Sequence, residues 1–429
     1  MRKLLIRILV FATGVLGPRV SAQTPEPQAS PVDVWTLERA LLAALNQHPL
    51  VESARAQQTA AEGKRLTAGV FPNPVATYWV ENLPFSSHGS SALDRESSIY
   101  ATLPLEPLLQ RSSRIAQTQS EIVAAQAAIA AAEQRVAADT AHAYFRVALA
   151  QASVDAARDN QAAIEQMVEY LRNRVAQGAT PEGELIRAQV ERDRATTEVA
   201  MADVDLLRAQ SGLRVFLGDA AGAPRVAAPD WLRERTPLAP LREFTTYALA
   251  HRSDLLASRA RTSAAASTID VERSMVVRQL GASFGVKRMA GVNAMVGGIS
   301  MTVPLFDQNR GEIQRATGER LAADLETRWL ERTIAAEVEA EYRAAERLAA
   351  QVTSLQPTFL NRAEESRRIA IGAYQEGATS LLQVLDASRT LNDARVMYAR
   401  LLAAATESLF ELSIAAGYDP RIAARGGSR

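Results

Sequence analysis

The chain carries the same landmarks twice. Leu37-Glu38-Arg39 opens a segment running to Ala54-Arg55-Ala56, and Leu241-Arg242-Glu243 opens another running to Ser258-Arg259-Ala260, 204 residues further on. Leu103-Pro104-Leu105 recurs as Val303-Pro304-Leu305 after 200 residues, and Gly178-Ala179-Thr180 with Ala188 recurs as Gly377-Ala378-Thr379 with Ala387 after 199. Two alanine-rich regions of like composition would share texture but not ordered landmarks at near-constant spacing. The pattern marks two copies of one structural unit, expected over residues 33–230 and 231–418, with 419–429 as a flexible C-terminal tail.

Each copy shows the same succession of periodicities. A helix is expected first, from Val34 to about Thr67 and from Leu241 to about Val276, with Leu37, Leu41, Leu42 and Leu45 at helical spacing. Two short extended segments follow in each copy, at about 75–80 and 98–103 and then at about 280–286 and 296–303. There Gly, Thr, Val and aromatic residues replace the alanine-glutamate texture of the helices, a change of period from 3.6 to 2. A very long helical stretch comes next, about 108–176 and 311–376; at 1.5 Å per residue each is roughly 100 Å long. Tight turns at about 178–183 and 377–380 lead into returning helices. Each half reads as helix, β-hairpin, long helix, turn, helix.

That layout has a physical consequence. Two hairpins supply four strands, whereas closed transmembrane barrels begin at about eight. An open sheet in lipid leaves backbone donors and acceptors without partners at several kcal/mol each. A membrane barrel built from this chain must therefore be shared between copies, and three copies make twelve strands. Tyr78, Trp79, Tyr100 and Phe284 are candidates for an aromatic belt, with Thr77, Thr102, Ser283 and Ser300 facing water. Seven of the nine residues from 124 to 132 are alanine, and such small side chains allow close helix packing, as in a helical barrel or coiled coil. Glu337, Glu339, Glu341 and Arg343 read as a solvated face.

Composition removes several function classes. Forty-eight basic residues balance forty-eight acidic ones, which argues against binding nucleic acid by neutralising phosphate. There is no cysteine, hence no disulfide, no thiolate ligand and no site for the acyl group that anchors lipoproteins. The four histidines, His48, His88, His142 and His251, share no metal-ligand spacing. No Ser/His/Asp context, phosphate-binding glycine loop or HExxH spacing is present, so neither an enzyme nor a cofactor is expected. Residues 1–22 combine Arg2, Lys3 and Arg7 with an apolar stretch and Val20-Ser21-Ala22, the pattern of a secretory signal peptide. Residues 23–32 form a Pro-rich extended lead-in.

Phe71-Pro72-Asn73-Pro74, Val80-Glu81-Asn82, the phrase from Val303 to Gly311 (VPLFDQNRG) and the two glycine turns together resemble the TolC-like outer-membrane efflux family, in its CzcC-type heavy-metal and multidrug branch. The resemblance covers nearly the whole chain after residue 22. It implies a mainly α fold with a small β part, in which a homotrimer builds a twelve-stranded outer-membrane barrel continuous with a periplasmic α-helical barrel. It also implies partners: a periplasmic adaptor and an inner-membrane RND-type pump, for which the chain is the passive exit duct. An adaptor-like helical scaffold is the alternative, although adaptors carry one helical hairpin and this chain has two. By the same resemblance the turns Gly178, Ala179, Thr180 and Gly377, Ala378, Thr379 form the periplasmic tip where the adaptor docks, and Tyr374, Asp386 and Glu184 form its gate. Departures from the family pattern are Thr379 in place of a basic residue, Gln383 in place of an acid, and Leu105 to Arg111 in place of a glycine-rich basic motif.

Overall fold

The structure is a computed structural model that describes residues 34–83, 94–218, 222–227, 238–355 and 358–423. The signal-peptide and lead-in expectations fall outside these residues. The fold is mainly helical with a small β part. Among the described residues no helix is long and apolar enough to cross a membrane.

The chain opens with β1 (Val34–Trp35), α1 (Leu37–Gln47) and α2 (Pro49–Gly69). The single helix expected from Val34 is thus a short strand and two helices. Pro49, lacking an N–H, starts a new helix, and His48 closes one and caps the next through its Nδ1, which accepts from Leu50 N at 3.3 Å. Then come β2 (Val75–Glu81), β3 (Glu96–Pro104), α3 (Pro107–Ala176), α4 (Glu182–Leu217) and β4 (Arg225–Val226).

The same order follows in α5 (Leu241–His251), α6 (Ser253–Ser274), β5 (Leu280–Met289), β6 (Val292–Met301), α7 (Arg310–Leu355), α8 (Phe359–Gln375) and α9 (Leu381–Ala415). Here too the first helix is split, at Arg252, whose guanidinium is held by Asp254 at 3.0 Å and Glu337 at 2.5 Å. The long second-copy helix is also two helices, because the sequence sets Pro357 between Leu355 and Phe359. The C-terminal tail begins with a further helical turn, α10 (Pro420–Ala423), where a flexible end was expected.

Two layers of buried side chains hold the middle of the helices. Leu41, Tyr144, Phe145, Leu213 and Phe410 pack α1, α3, α4 and α9 together, and Phe244, Leu255, Ile334 and Leu412 do the same for α5, α6, α7 and α9. The parallel pair β1–β4 lies against the first layer. The buried Tyr144 hydroxyl reaches the carbonyls of Trp35, at 3.1 Å, and Ala227. Gln151 pairs with both the N–H (2.9 Å) and the carbonyl (3.0 Å) of Val226, so an amide side chain extends the ladder.

The four-stranded sheet runs β2-β3-β5-β6, all antiparallel. Directly paired residues share a face, so the register assigns the faces. Tyr78, Ile99, Val286 and Met295 form one row, and Ala76, Ala101, Phe284 and Gly297 form the next row on that same apolar face. The other face carries Thr77 with Tyr100, Thr102 with Ser283, and Trp79 with Ser98 and Lys287. Thr102 and Ser283 hydrogen-bond at 2.8 Å, and Lys287 pairs with Glu81 at 3.5 Å and with Glu96. The four aromatics expected in one belt are therefore divided: Tyr78 and Phe284 lie on the apolar face, Trp79 and Tyr100 on the polar one.

The phrase from Val303 to Gly311 forms the corner between β6 and α7. Asn309 sits there at φ 59°, only 3% exposed. Its amide donates to the Glu272 carbonyl at 2.7 Å and accepts from Arg278 at 2.9 Å, which ties the corner to the end of α6. The corner between β3 and α3 uses other chemistry: the Glu106 carboxylate accepts from Leu280 N at 3.0 Å, and Arg111 binds the Gly69 carbonyl at 2.9 Å beneath the Phe71 ring.

Candidate functional site at the helical tip

Both long hairpins reverse by the same backbone device. Gly178 (φ 70°) and Gly377 (φ 76°) occupy the left-handed region. Around each, two hydrogen bonds close the helix end: Gly178 N to Val175 O at 2.9 Å with Ala179 N to Arg174 O at 2.9 Å, and Gly377 N to Tyr374 O at 3.0 Å with Ala378 N to Ala373 O at 2.8 Å. This is the Schellman arrangement, which favours a residue without a Cβ at the left-handed position.

The two turns lie side by side. Tyr374, on the last turn of α8, donates its hydroxyl to Glu184 Oε2, on the first turn of α4, at 2.5 Å. Burial and the Glu184 carboxylate hold the phenol above its ordinary pKa, so it stays a donor throughout the physiological range. Its ring meets Tyr170 edge-on with centroids 6.4 Å apart. Arg174 then ties the first turn together, donating to Tyr170 Oη at 3.0 Å, Thr180 Oγ1 at 3.1 Å and the Ala179 carbonyl at 3.3 Å. In the second turn Thr379 donates to Gln383, so the two departures from the family pattern form a neutral pair with each other. Beneath both turns lies a small apolar core of Ile164, Val168, Leu171, Ala188, Leu381 and Leu385.

Of the residues singled out from sequence, Tyr374 and Glu184 meet, and the two glycine turns neighbour them. Asp386 stands apart, exposed on α9. Sequence reasoning missed Tyr170 and Arg174, as well as an ion pair one step below the turns, between the buried Glu191 and the partly exposed Arg389. Arg174 had a legible signal, a cation in the last turn before a helix-ending glycine. Glu191 and Arg389 had none, being ordinary charges 198 residues apart. Among the described residues no group of three His, Cys, Asp or Glu side chains is placed to hold a metal ion.

An amphipathic four-stranded sheet joined to two glycine-reversed hairpins of long helices is the architecture of an outer-membrane channel protein. The chain belongs to the outer membrane efflux protein family, whose model matches residues 40–219 and 246–418. It is thus an outer-membrane efflux channel protein, and its relatives are efflux proteins, not enzymes. It is 28% identical to the cobalt-zinc-cadmium resistance protein CzcC of Cupriavidus metallidurans over 416 residues, covering 94% of this chain and 96% of that one. Among solved structures it resembles the outer membrane protein VceC of Vibrio cholerae, with a TM-score of 0.73 at 20% identity over 89% of this chain and 96% of that one. It also resembles the CmeC outer membrane channel of Campylobacter jejuni, with a TM-score of 0.74 at 15% identity over 89% and 85% of the two chains.

Proposed function

We propose that three copies of this chain form the exit duct of a tripartite efflux assembly, fed through a periplasmic adaptor by an inner-membrane RND-type pump. The observation that carries a barrel shared between copies is the sheet: β2 and β6 are its free edges, and one face is apolar; that the copies number three rests on the family resemblance. Pairing β6 of one copy with β2 of the next leaves no edge in lipid and gives twelve strands around a water-filled lumen lined by Lys287, Thr102, Ser283 and Tyr100. The duct itself is passive. Tyr374, Glu184 and Asp386 gate its periplasmic end, and the Gly178–Thr180 and Gly377–Thr379 turns receive the adaptor. The cargo we favour is divalent metal cations, on the strength of the likeness to CzcC along nearly the whole chain.

The test is threefold. The protein extracted in mild detergent should have the mass of three protomers. In planar bilayers it should form channels whose conductance rises in Tyr374→Phe and in Asp386→Ala. A deletion strain should become sensitive to Co2+, Zn2+ or Cd2+. A monomer in mild detergent overturns the trimer, unchanged conductance in both variants removes those residues from the gate, and sensitivity to drugs alone overturns the metal cargo.

A further inference from the structure

The sheet divides its charges by face at the end furthest from the helices. Beyond the row of Tyr78, Ile99, Val286 and Met295, the next row on the apolar face is Val80, Ser97, Arg288 and Asn293. Arg95 stands two positions before Ser97, at the entry to β3, and falls on that side by alternation. Both arginines are exposed. The carboxylates at this height take the opposite face: Glu81 and Glu96 are cross-strand partners there and both hold Lys287, and Asp94 falls with them by the same alternation. Among the described residues no carboxylate pairs with Arg95 or Arg288.

On a face set against lipid, cations need a partner of their own. Arginine is costly at the middle of a bilayer and nearly free only at its boundary. Arg288 lies two residues beyond Val286, about 7 Å along the strand. Its aliphatic stem can follow the apolar face while the guanidinium reaches the boundary. β2 leaves the helices at Val75 and β3 returns at Pro104, as β5 and β6 do at Leu280 and Met301, so both arginines sit at the far end of the hairpins. With the helices in the periplasm, that end meets the outer leaflet, whose main lipid is a phosphorylated glycolipid. A guanidinium fork binds phosphate through two parallel hydrogen bonds, and Ser97 and Asn293 beside Arg288 add neutral donors.

We propose that Arg288 and Arg95 form a phosphate-binding rim on the lipid-facing side of the sheet, and that its ligand is lipid A, the phosphorylated glycolipid of the outer leaflet. The rim rests on the duct reading above, which sets this face against lipid. The division by face then has a physical sense. Carboxylates on the lipid side would repel the phosphates, and on the lumen side they neutralise Lys287 instead. In a barrel shared between copies the rim repeats with each copy, so the duct is held to the outer leaflet all round its circumference.

The test uses the full-length protein, purified in mild detergent and mixed with phosphatidylcholine vesicles that contain bisphosphorylated lipid A, the same glycolipid without phosphates, or phosphatidylglycerol. The lipid kept by the protein after re-extraction is measured by mass spectrometry. Wild type should keep lipid A about tenfold over the phosphate-free form, the equivalent of one charge-assisted hydrogen bond. Arg288→Gln combined with Arg95→Gln should abolish that preference, whereas Lys287→Gln, one residue along β5 on the other face, should keep it. An equal loss in Lys287→Gln would mean that net charge and not the face attracts the lipid, which sinks the rim. A preference that survives in the double variant sinks it too, as does phosphatidylglycerol kept as well as lipid A. If the double variant fails to insert, the wild-type comparison decides alone, and no difference between the phosphorylated and phosphate-free lipid overturns the proposal. Wild-type protein that stays out of all three vesicles would overturn the duct reading itself, a result distinct from protein that inserts and ignores the phosphates.

Discussion

One cluster makes the stability of the helical region depend on pH in a direction opposite to that of most salt-bridged proteins. His142, on α3, faces two carboxylates on α9: Glu407, 2.6 Å from its Nδ1, and Glu411, 3.3 Å from its Nε2. Asp139 on α3 and Glu341 on α7 add further negative charge. The hydrogen bond to Glu407 raises the His142 pKa above 6.5. Burial, with 20% of its side chain exposed, pushes the Glu411 carboxyl from 4.5 up to about 7. A tenfold change in proton affinity is worth about 1.4 kcal/mol, so ionised Glu411 costs the folded state roughly 3 kcal/mol.

The sign follows from where the protons are held. Between about pH 4.5 and 7 the folded chain binds more protons at Glu411 than the unfolded chain does, so stability falls as pH rises across that window. The His142 contribution is complete below 6.5 and is lost as pH climbs through its raised value. Thermal unfolding of the detergent-solubilised protein, followed by helical circular dichroism, should give a lower midpoint at pH 8 than at pH 5. Glu411→Gln keeps the side-chain shape without the ionisation, and its midpoint should fall much less over the same range. A wild-type midpoint that rises from pH 5 to pH 8, or a Glu411→Gln curve parallel to the wild type, would refute the reasoning.

Two further outcomes follow from single glycines. A Cβ on Gly285 would sit 2.2 Å from the Ile99 carbonyl oxygen and 2.5 Å from Tyr100 Cα, and backbone yields only by opening the β3–β5 ladder. Gly285→Ala should therefore cost about 3 kcal/mol, at the upper end of overpacking, and sharply reduce assembled protein in outer-membrane fractions. Gly298→Ala, with nothing within 4 Å of the added atom, should assemble normally. At the tip, Gly178→Ala and Gly377→Ala meet no neighbour either, so each should cost only the left-handed backbone penalty, about 1 kcal/mol, seen as a small drop in unfolding midpoint with channels retained.

The order of elements was legible because it is written locally. Helix periodicity and the glycines at 178 and 377 act through bonds spanning at most five residues, and the structure places turns at both glycines; the break at Pro49 was missed, one helix having been expected from Val34 to about Thr67. Sequence alone also showed that four strands cannot close. It did not show which way the strands face, because alternation says only that neighbours oppose each other. The side for Tyr100 was set by pairing with Gly285, and that for Trp79 by pairing with Ser98, itself paired with Lys287 some 200 residues away.

The tip divides in the same way. Its turns were readable from their glycines; Tyr374 and Glu184 were each named only through a family pattern, and their contact was not foreseen. The Glu191–Arg389 pair was not readable at all, since either residue by itself is an ordinary helix charge. Only when α4 and α9 pack side by side does one carboxylate lose its water and the guanidinium become its partner. Sequence determined the parts and where the chain reverses. Tertiary structure decided which faces and which charges meet, because burial and register belong to pairs of segments and not to either segment alone.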